Sequence, residues 1–209
     1  MTRLITFGSS TTFGQALPDI WDYKKNMPIV EQGPSKYAWP QLLADKLNLE
    51  CVNLSVPGAS NKEIWYTLLN TKFKANDTVI ILWSDRPRSC IIKKSGIENI
   101  APFKINNHRP SKYFLKFIYN EYDHFIDSCM RINYITLTLK NKIKLLKHCM
   151  DHLSEFNKTP FPKWFDSNIE KVDFVNDILN KYPIAIDNQH TGKEGNKAFA
   201  DILYDNIRL

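Results

Sequence analysis

Two short segments at opposite ends of the chain carry the groups that acyl transfer requires. Gly8-Ser9-Ser10-Thr11 offers hydroxyls directly after an apolar run, and Asp187-Asn188-Gln189-His190 sets a carboxylate three residues before an imidazole. A serine hydroxyl is a weak nucleophile at neutral pH until an imidazole takes its proton. That imidazole works best when a carboxylate fixes its tautomer and stabilises its cation. Ser10 as nucleophile, His190 as general base and Asp187 as the orienting carboxylate fill the three roles, with Ser9 as the competing hydroxyl. The chemistry depends on a fold that joins the two ends.

The elements that must do this are legible as patterns. Leu4 to Phe7, Cys51 to Leu54 and Thr78 to Trp83 are apolar runs rich in β-branched residues, each ended by Gly, Pro, Ser or Asp, and they read as buried strands. Between the first two, Tyr37 to Leu47 reads as a helix with Pro40 in its first turn. Between the second and third, Ser60-Asn61-Lys62-Glu63 has capping-box spacing ahead of Ile64, Leu68 and Leu69. Strands alternating with helices imply right-handed crossovers and a parallel sheet covered on both faces, an α/β three-layer arrangement.

Beyond Trp83 the pattern is less regular. Ser111 to Leu153 reads as two helices dividing near Arg131; Ile132 to Leu139 alternates like a strand but shares the helical pattern of its flanks. A fourth parallel strand is due after Leu153, where Ser154-Glu155-Phe156-Asn157-Lys158 is too polar to be one. Pro160 to Trp164 reads as a loop, Ile169 to Leu179 as a helix and Tyr182 to Ile186 as a short edge strand. Thr191-Gly192-Lys193-Glu194 then gives a second capping box, opening a helix that runs through Ile207.

With 209 residues, of which 43% are hydrophobic, the chain is expected to form a single domain over 1–209. Its first residues reach a Gly/Ser loop too soon for a signal peptide, and no apolar run approaches membrane-spanning length, so a soluble, cytoplasmic protein is expected. Cys51, Cys90, Cys129 and Cys149 stand far apart, without a CxxC pair, and are expected to be reduced. Arg86 to Lys147 holds thirteen Lys/Arg against four Asp/Glu within a net charge of +6, which gives that segment a basic surface. No nucleic-acid-reading motif and no Gly-rich phosphate cradle accompanies it, so nucleic acid is not read as a partner.

In an open parallel sheet, ligands bind in the crevice at the carboxyl ends of the strands. Gly8 to Thr11, Val56 to Ala59 and Ser84 to Arg86 follow the three strands, and Asp187 to His190 precedes the last helix, so one crevice can collect all four segments. On these residues the chain resembles the SGNH hydrolases, the GDSL-type esterases and lipases. The resemblance runs nearly full length, with anchors at Phe7 to Thr11, Asn53 to Asn61, Ile80 to Arg86 and Asp187 to Ala200. It implies a flavodoxin-like fold and a Ser10–His190–Asp187 triad, with the N–H groups of Ser10 and Gly58 in the oxyanion hole. The implied activity is cleavage of carboxylic esters, including small acyl groups such as acetate on a carbohydrate, through an acyl-serine intermediate. It implies no metal or organic cofactor.

Two positions depart from the family. Ser9 stands where the Gly-Asp-Ser block has Asp, and Trp83-Ser84-Asp85-Arg86 stands where Gly-x-Asn-Asp is usual, so the third oxyanion position is Asp85 instead of Asn. An ionised carboxylate cannot donate and repels the developing negative charge; Arg86 or Arg88 is then the candidate positive group. These departures keep a second reading open, a non-catalytic carbohydrate-binding or structural module on the same fold. Gly58 after Pro57 also fits a plain type II turn. His148 and His152, at i,i+4 spacing near Cys149 and Asp151, have the spacing of a metal pair, but no third ligand stands at a matching spacing among the surrounding lysines and the segment reads as a solvated helix face. Trp21, Tyr23, Trp39 and Trp164 are open to more than one reading: Trp21 and Tyr23, in the long loop after Ser10, could stack on a sugar or an acyl chain, and any of the four could belong to the core. Substrate identity and oligomeric state are not written in the sequence.

Overall fold

The computed structural model describes residues 2–25, 27–29, 32–84, 87–104, 106–152, 159–165 and 169–208. The strands in chain order are β1 (Arg3–Phe7), β2 (Trp21–Asp22), β3 (Met27–Pro28), β4 (Glu50–Asn53), β5 (Thr78–Trp83), β6 (Ser89–Lys93), β7 (Gly96–Ile100), β8 (Leu145–Met150) and β9 (Ile169–Asp173). The α-helices are α1 (Ser10–Phe13), α2 (Trp39–Leu47), α3 (Asn61–Leu69), α4 (Arg109–Phe117), α5 (Glu121–Leu139) and α6 (Lys193–Arg208). The central sheet has the order β4-β1-β5-β8-β9, with every neighbouring pair parallel. The chain steps from β1 out to β4 and then back across to β5, so the topological switch point lies beside β1. β2 with β3 and β6 with β7 form separate antiparallel pairs.

Strand periodicity sorts the core into two layers. Ile5, Phe7, Val79, Ile81 and Trp83 face one side, where they meet Ile64 and Leu68 of α3 and Phe125, Cys129 and Ile132 of α5. The alternate residues Leu4, Ile80 and Leu82 face the other, against Trp39 and Leu43 of α2 and Phe199 and Leu203 of α6. Burial on both faces is why β5 reads as an unbroken apolar run. The expected capping box at α3 is present, with Ser60 Oγ accepting from the Glu63 N–H at 3.3 Å. At the sheet's other end Arg3 grips Asp77 through two bonds of 2.9 and 2.6 Å, which pins β1 beside the start of β5.

Several expectations are corrected. The fourth parallel strand is β8, inside the stretch read as helix up to Leu153; residues 153–158 lie outside the described residues. The helical region divides at residues 118–120, where Asn120 caps α5, and not near Arg131. Ile169 to Leu179 is not one helix but β9 followed by a π-helical segment, Phe174–Leu179. Tyr182 to Ile186 forms no strand, only a bridge from Ile184 to Thr191. The second capping box is also absent: Thr191 Oγ1 is buried without a partner, and α6 opens on the Gly192 carbonyl, which accepts from the Asn196 N–H at 3.1 Å. Gly192 is required there, because a β-carbon would sit 2.6 Å from the Pro183 carbonyl oxygen.

His148 and His152 share no helix. His148 lies buried in β8, taking a bond from Trp83 Nε1 on its Nδ1 (3.1 Å) and meeting Thr136 Oγ1 through Nε2 (2.9 Å). The four cysteines are free thiols. Among the described residues no helix is long and apolar enough to cross a membrane.

Candidate active site

β1 ends at Phe7, and the chain turns at Gly8 and Ser9 into the single turn of α1. Gly8 is demanded by this turn: a β-carbon would lie 2.0 Å from Thr12 Oγ1 and 3.2 Å from the Leu82 carbonyl oxygen. Ser10 is thereby the first residue of α1, at the carboxyl end of β1, with its backbone N–H among the unpaired donors of a helix start. Asn53, at the end of β4, steadies α1 from the side, donating from Nδ2 to the Thr12 carbonyl at 2.8 Å while its Oδ1 accepts from Ser55. The loop from β4 then makes a turn over Val56 to Ala59, in which the Ala59 N–H bonds the Val56 carbonyl at 3.0 Å and Gly58 adopts φ of 78°. Pro at the second and a left-handed Gly at the third position fit a type II turn.

Asp187 to His190 forms a compact loop that orients itself. Asp187 Oδ1 accepts from the N–H groups of Gln189 (3.1 Å) and His190 (3.0 Å), while Oδ2 holds His190 Nδ1 at 2.5 Å. The i,i+3 spacing lets one carboxylate fix both the backbone and the ring of the histidine. Asn188 takes the left-handed conformation, φ 57°, that this tight turn needs, and the Ala185 N–H closes the loop onto the His190 carbonyl at 2.6 Å. Burial opposes ionisation of Asp187. The imidazole and the two N–H groups outweigh it and hold the carboxyl below its ordinary value of 3.8. Asp187 therefore accepts the Nδ1 proton, which leaves Nε2 as the basic nitrogen of His190.

Ser10 and His190 line one cavity of about 180 Å³, together with Thr11, Gln189 and Thr191. Phe174, Val175 and Leu179 of the π-helical segment supply an apolar side, and Arg88, Asp151 and His152 a polar one. Ser9, 1% exposed, does not line it, which separates the two candidate serines. Ser10 and His190 share this space without a direct hydrogen bond between them. Arg88 also bonds Ser84 Oγ at 3.1 Å. Asp85 and Arg86 lie outside the described residues. Trp21 and Trp39 are buried and Tyr23 and Trp164 are exposed, and none of the four lines this cavity.

Asp151, His152 and Thr191 were not assigned to the site from sequence. The signal for the first two was the fourth strand, since both follow the carboxyl end of β8. Among the described residues no three His, Cys, Asp or Glu side chains come together as metal ligands.

No family profile and no curated protein sequence matches the chain. Solved structures do. A protein assigned to the lipolytic G-D-S-L family from Desulfitobacterium hafniense DCB-2 superposes with a TM-score of 0.54 at 15% identity, over 98% of this chain and 99% of its own. A psychrotrophic esterase from Pseudoalteromonas sp., in a structure inhibited by monoethylphosphonate, gives 0.52 at 12% identity over 99% and 96% of the two chains. An acetyl xylan esterase from the rumen bacterium Butyrivibrio proteoclasticus gives 0.53 at 10% identity over 99% of this chain and 63% of that one. This is the SGNH-hydrolase fold. In the SGNH fold met here, β1 and β5 flank the switch point, and Ser10 stands at its mouth.

Proposed function

We propose that this protein is a serine esterase of the SGNH type. The observation that carries the reading is the shared cavity of Ser10 and His190, with the His190 ring held at Nδ1 by an ionised Asp187. Ser10 Oγ attacks the ester carbonyl carbon while His190 Nε2 takes its proton. The tetrahedral oxyanion accepts from the N–H groups of Ser10 and Gly58. Collapse breaks the ester C–O bond, and His190 returns the proton to the departing alcohol. Water, deprotonated by the same imidazole, then attacks the acyl-serine and releases the acid and free Ser10.

The cavity supports a small acyl group. About 180 Å³ is below the range of roughly 300 Å³ upward that drug-sized ligands occupy, and the Phe174, Val175 and Leu179 wall suits a methyl better than a charge. An O-acetyl group on a carbohydrate is the substrate that fits this reading, in keeping with the acetyl xylan esterase among the structural neighbours. A second reading, binding without turnover, is favoured by Asp85 at the position of the family's oxyanion Asn.

A fluorophosphonate probe separates the two. Esterase function requires an adduct on Ser10, located by mass spectrometry, that is lost in Ser10→Ala and His190→Ala. Folded protein that takes no label would leave the binding module standing.

A further inference from the structure

Helix α5 carries two apolar stripes. The inner one, Phe125, Cys129, Ile132, Ile135 and Leu139, is buried against the sheet. The outer one has no cover among the described residues: Met130 is 57%, Tyr134 51% and Leu137 71% exposed. With Ile126, Asn133 and Trp164 they line an apolar groove of about 620 Å³. Singly exposed apolar side chains are ordinary, but a contiguous patch along one helix marks an interaction surface.

The outer stripe has a regular period. Asp123, Ile126, Met130, Asn133, Leu137 and Lys140 follow alternating steps of three and four, which is the seam of a coiled coil. The seam is also self-complementary when a second helix runs antiparallel. Reversal about the midpoint between Met130 and Asn133 sets these two opposite each other, Ile126 opposite Leu137, and Asp123 opposite Lys140. One register thus sets Met130 against Asn133 at the centre, pairs apolar with apolar at Ile126 and Leu137 on either side, and pairs acid with base at both ends. Neither Asp123 nor Lys140 makes an ion pair within its own chain among the described residues. The helix macrodipole accounts for an acid in the first turn of α5. It gives no reason for Met130, Tyr134 and Leu137 to face water.

We propose that two copies of this chain pair through the outer face of α5, antiparallel about a two-fold axis, with Asp123 of each copy against Lys140 of the partner subunit. The contact is isologous, so each apolar residue and each charge is used twice. Trp164 flanks the groove and closes over the incoming helix.

Sedimentation velocity across a micromolar concentration series tests this on the full chain. The expected species has twice the 24.4 kDa chain mass. Leu137→Glu, or Met130→Glu as an independent variant, places a carboxylate in the seam and yields the monomer. Asp123→Lys and Lys140→Glu each set like charges opposite each other and raise the dissociation constant by about tenfold; both together in one chain restore it. All of these side chains are exposed, so each variant keeps the wild-type circular dichroism spectrum, which separates loss of pairing from loss of the fold. A monomer at every concentration overturns the proposal, as does a dimer indifferent to Leu137→Glu or a double reversal without recovery. Capture of a monomeric chain by anionic lipid vesicles would overturn it too, and assign the patch to a membrane surface.

Discussion

Asp187 uses both carboxylate oxygens, and this makes it intolerant of an isosteric change. Its Oδ1 serves two backbone N–H groups and its Oδ2 the His190 ring. An asparagine has one acceptor oxygen, so Asp187→Asn must either release the backbone or turn its NH₂ toward Nδ1. The second choice forces the proton onto Nε2, and an Nε2–H imidazole cannot accept from Ser10. On the esterase reading, kcat falls by about 10³- to 10⁴-fold with KM little changed. Steady-state kinetics beside an unchanged circular dichroism spectrum check this. At Asp85 the family resemblance implies the opposite direction. On the esterase reading, Asp85→Asn restores the donor that the resemblance places at the oxyanion, and a gain of about 10- to 100-fold in kcat is expected, short of the full value of a donor in a preorganised hole. No gain would mean that Asp85 does not face the oxyanion.

At the scale of elements, the Arg3–Asp77 pair shows how the sheet is held in register where the apolar pattern ends. Asp77 is 1% exposed; burial raises its pKa, but two bonds from Arg3 and the Lys74 N–H prevail and lower it below 3.8. A lowered carboxylate contributes stability above its unfolded pKa and loses it as the pH falls through the folded value. Asp77→Asn should therefore cost about 2 kcal/mol near neutral pH, and the gap from wild type should close below pH 3.8, as read by urea unfolding at several pH values. The same scale shows what the sequence could and could not disclose. β1, β4 and β5 were visible because both faces of each are buried or because Gly, Ser or Pro stops them. β8 was not, because it follows the long α5 closely and carries Lys147 and His148 at positions where a buried strand is normally apolar. Only the neighbouring strand and helix reveal that His148 has partners, through Trp83 and Thr136. β9 is hidden for a like reason, since Ile169-Glu170-Lys171-Val172-Asp173 is an edge segment with charges at its centre. The two loops proposed for the triad do not depend on β8 or β9, because local spacing places Asp187 beside His190 while Ser10 needs only β1.

For the molecule as a whole, His148 is the titratable group with the largest reach. Its Nδ1 accepts from Trp83 Nε1, so Nε2 carries the proton and donates to Thr136 Oγ1, which in turn donates to the Ile132 carbonyl at 2.9 Å. This chain of bonds ties β5, β8 and α5 together in their neutral form, and no acceptor is left for a second ring proton. Burial accordingly lowers the His148 pKa from 6.5 to about 3. Below pH 6.5 the unfolded chain binds a proton that the folded chain refuses, so stability falls as the pH drops from 6.5 toward about 3. Two pH units below the unfolded value, the loss from this residue alone is about 2–3 kcal/mol. Glu63, whose carboxyl burial pushes above 4.5, acts in the opposite sense, because its neutral form is the one the core favours. The wild-type slope therefore mixes the two, and the difference from His148→Gln isolates the histidine. That variant should lose about 1–2 kcal/mol at neutral pH, where the Trp83 and Thr136 bonds are weakened, and then change less on acidification than the wild type. Urea unfolding of both proteins at neutral pH and near pH 4.5 measures the two slopes. Equal slopes would mean that His148 takes up a proton as readily in the folded as in the unfolded chain, and that the bond from Trp83 Nε1, which can only donate, does not hold its ring neutral.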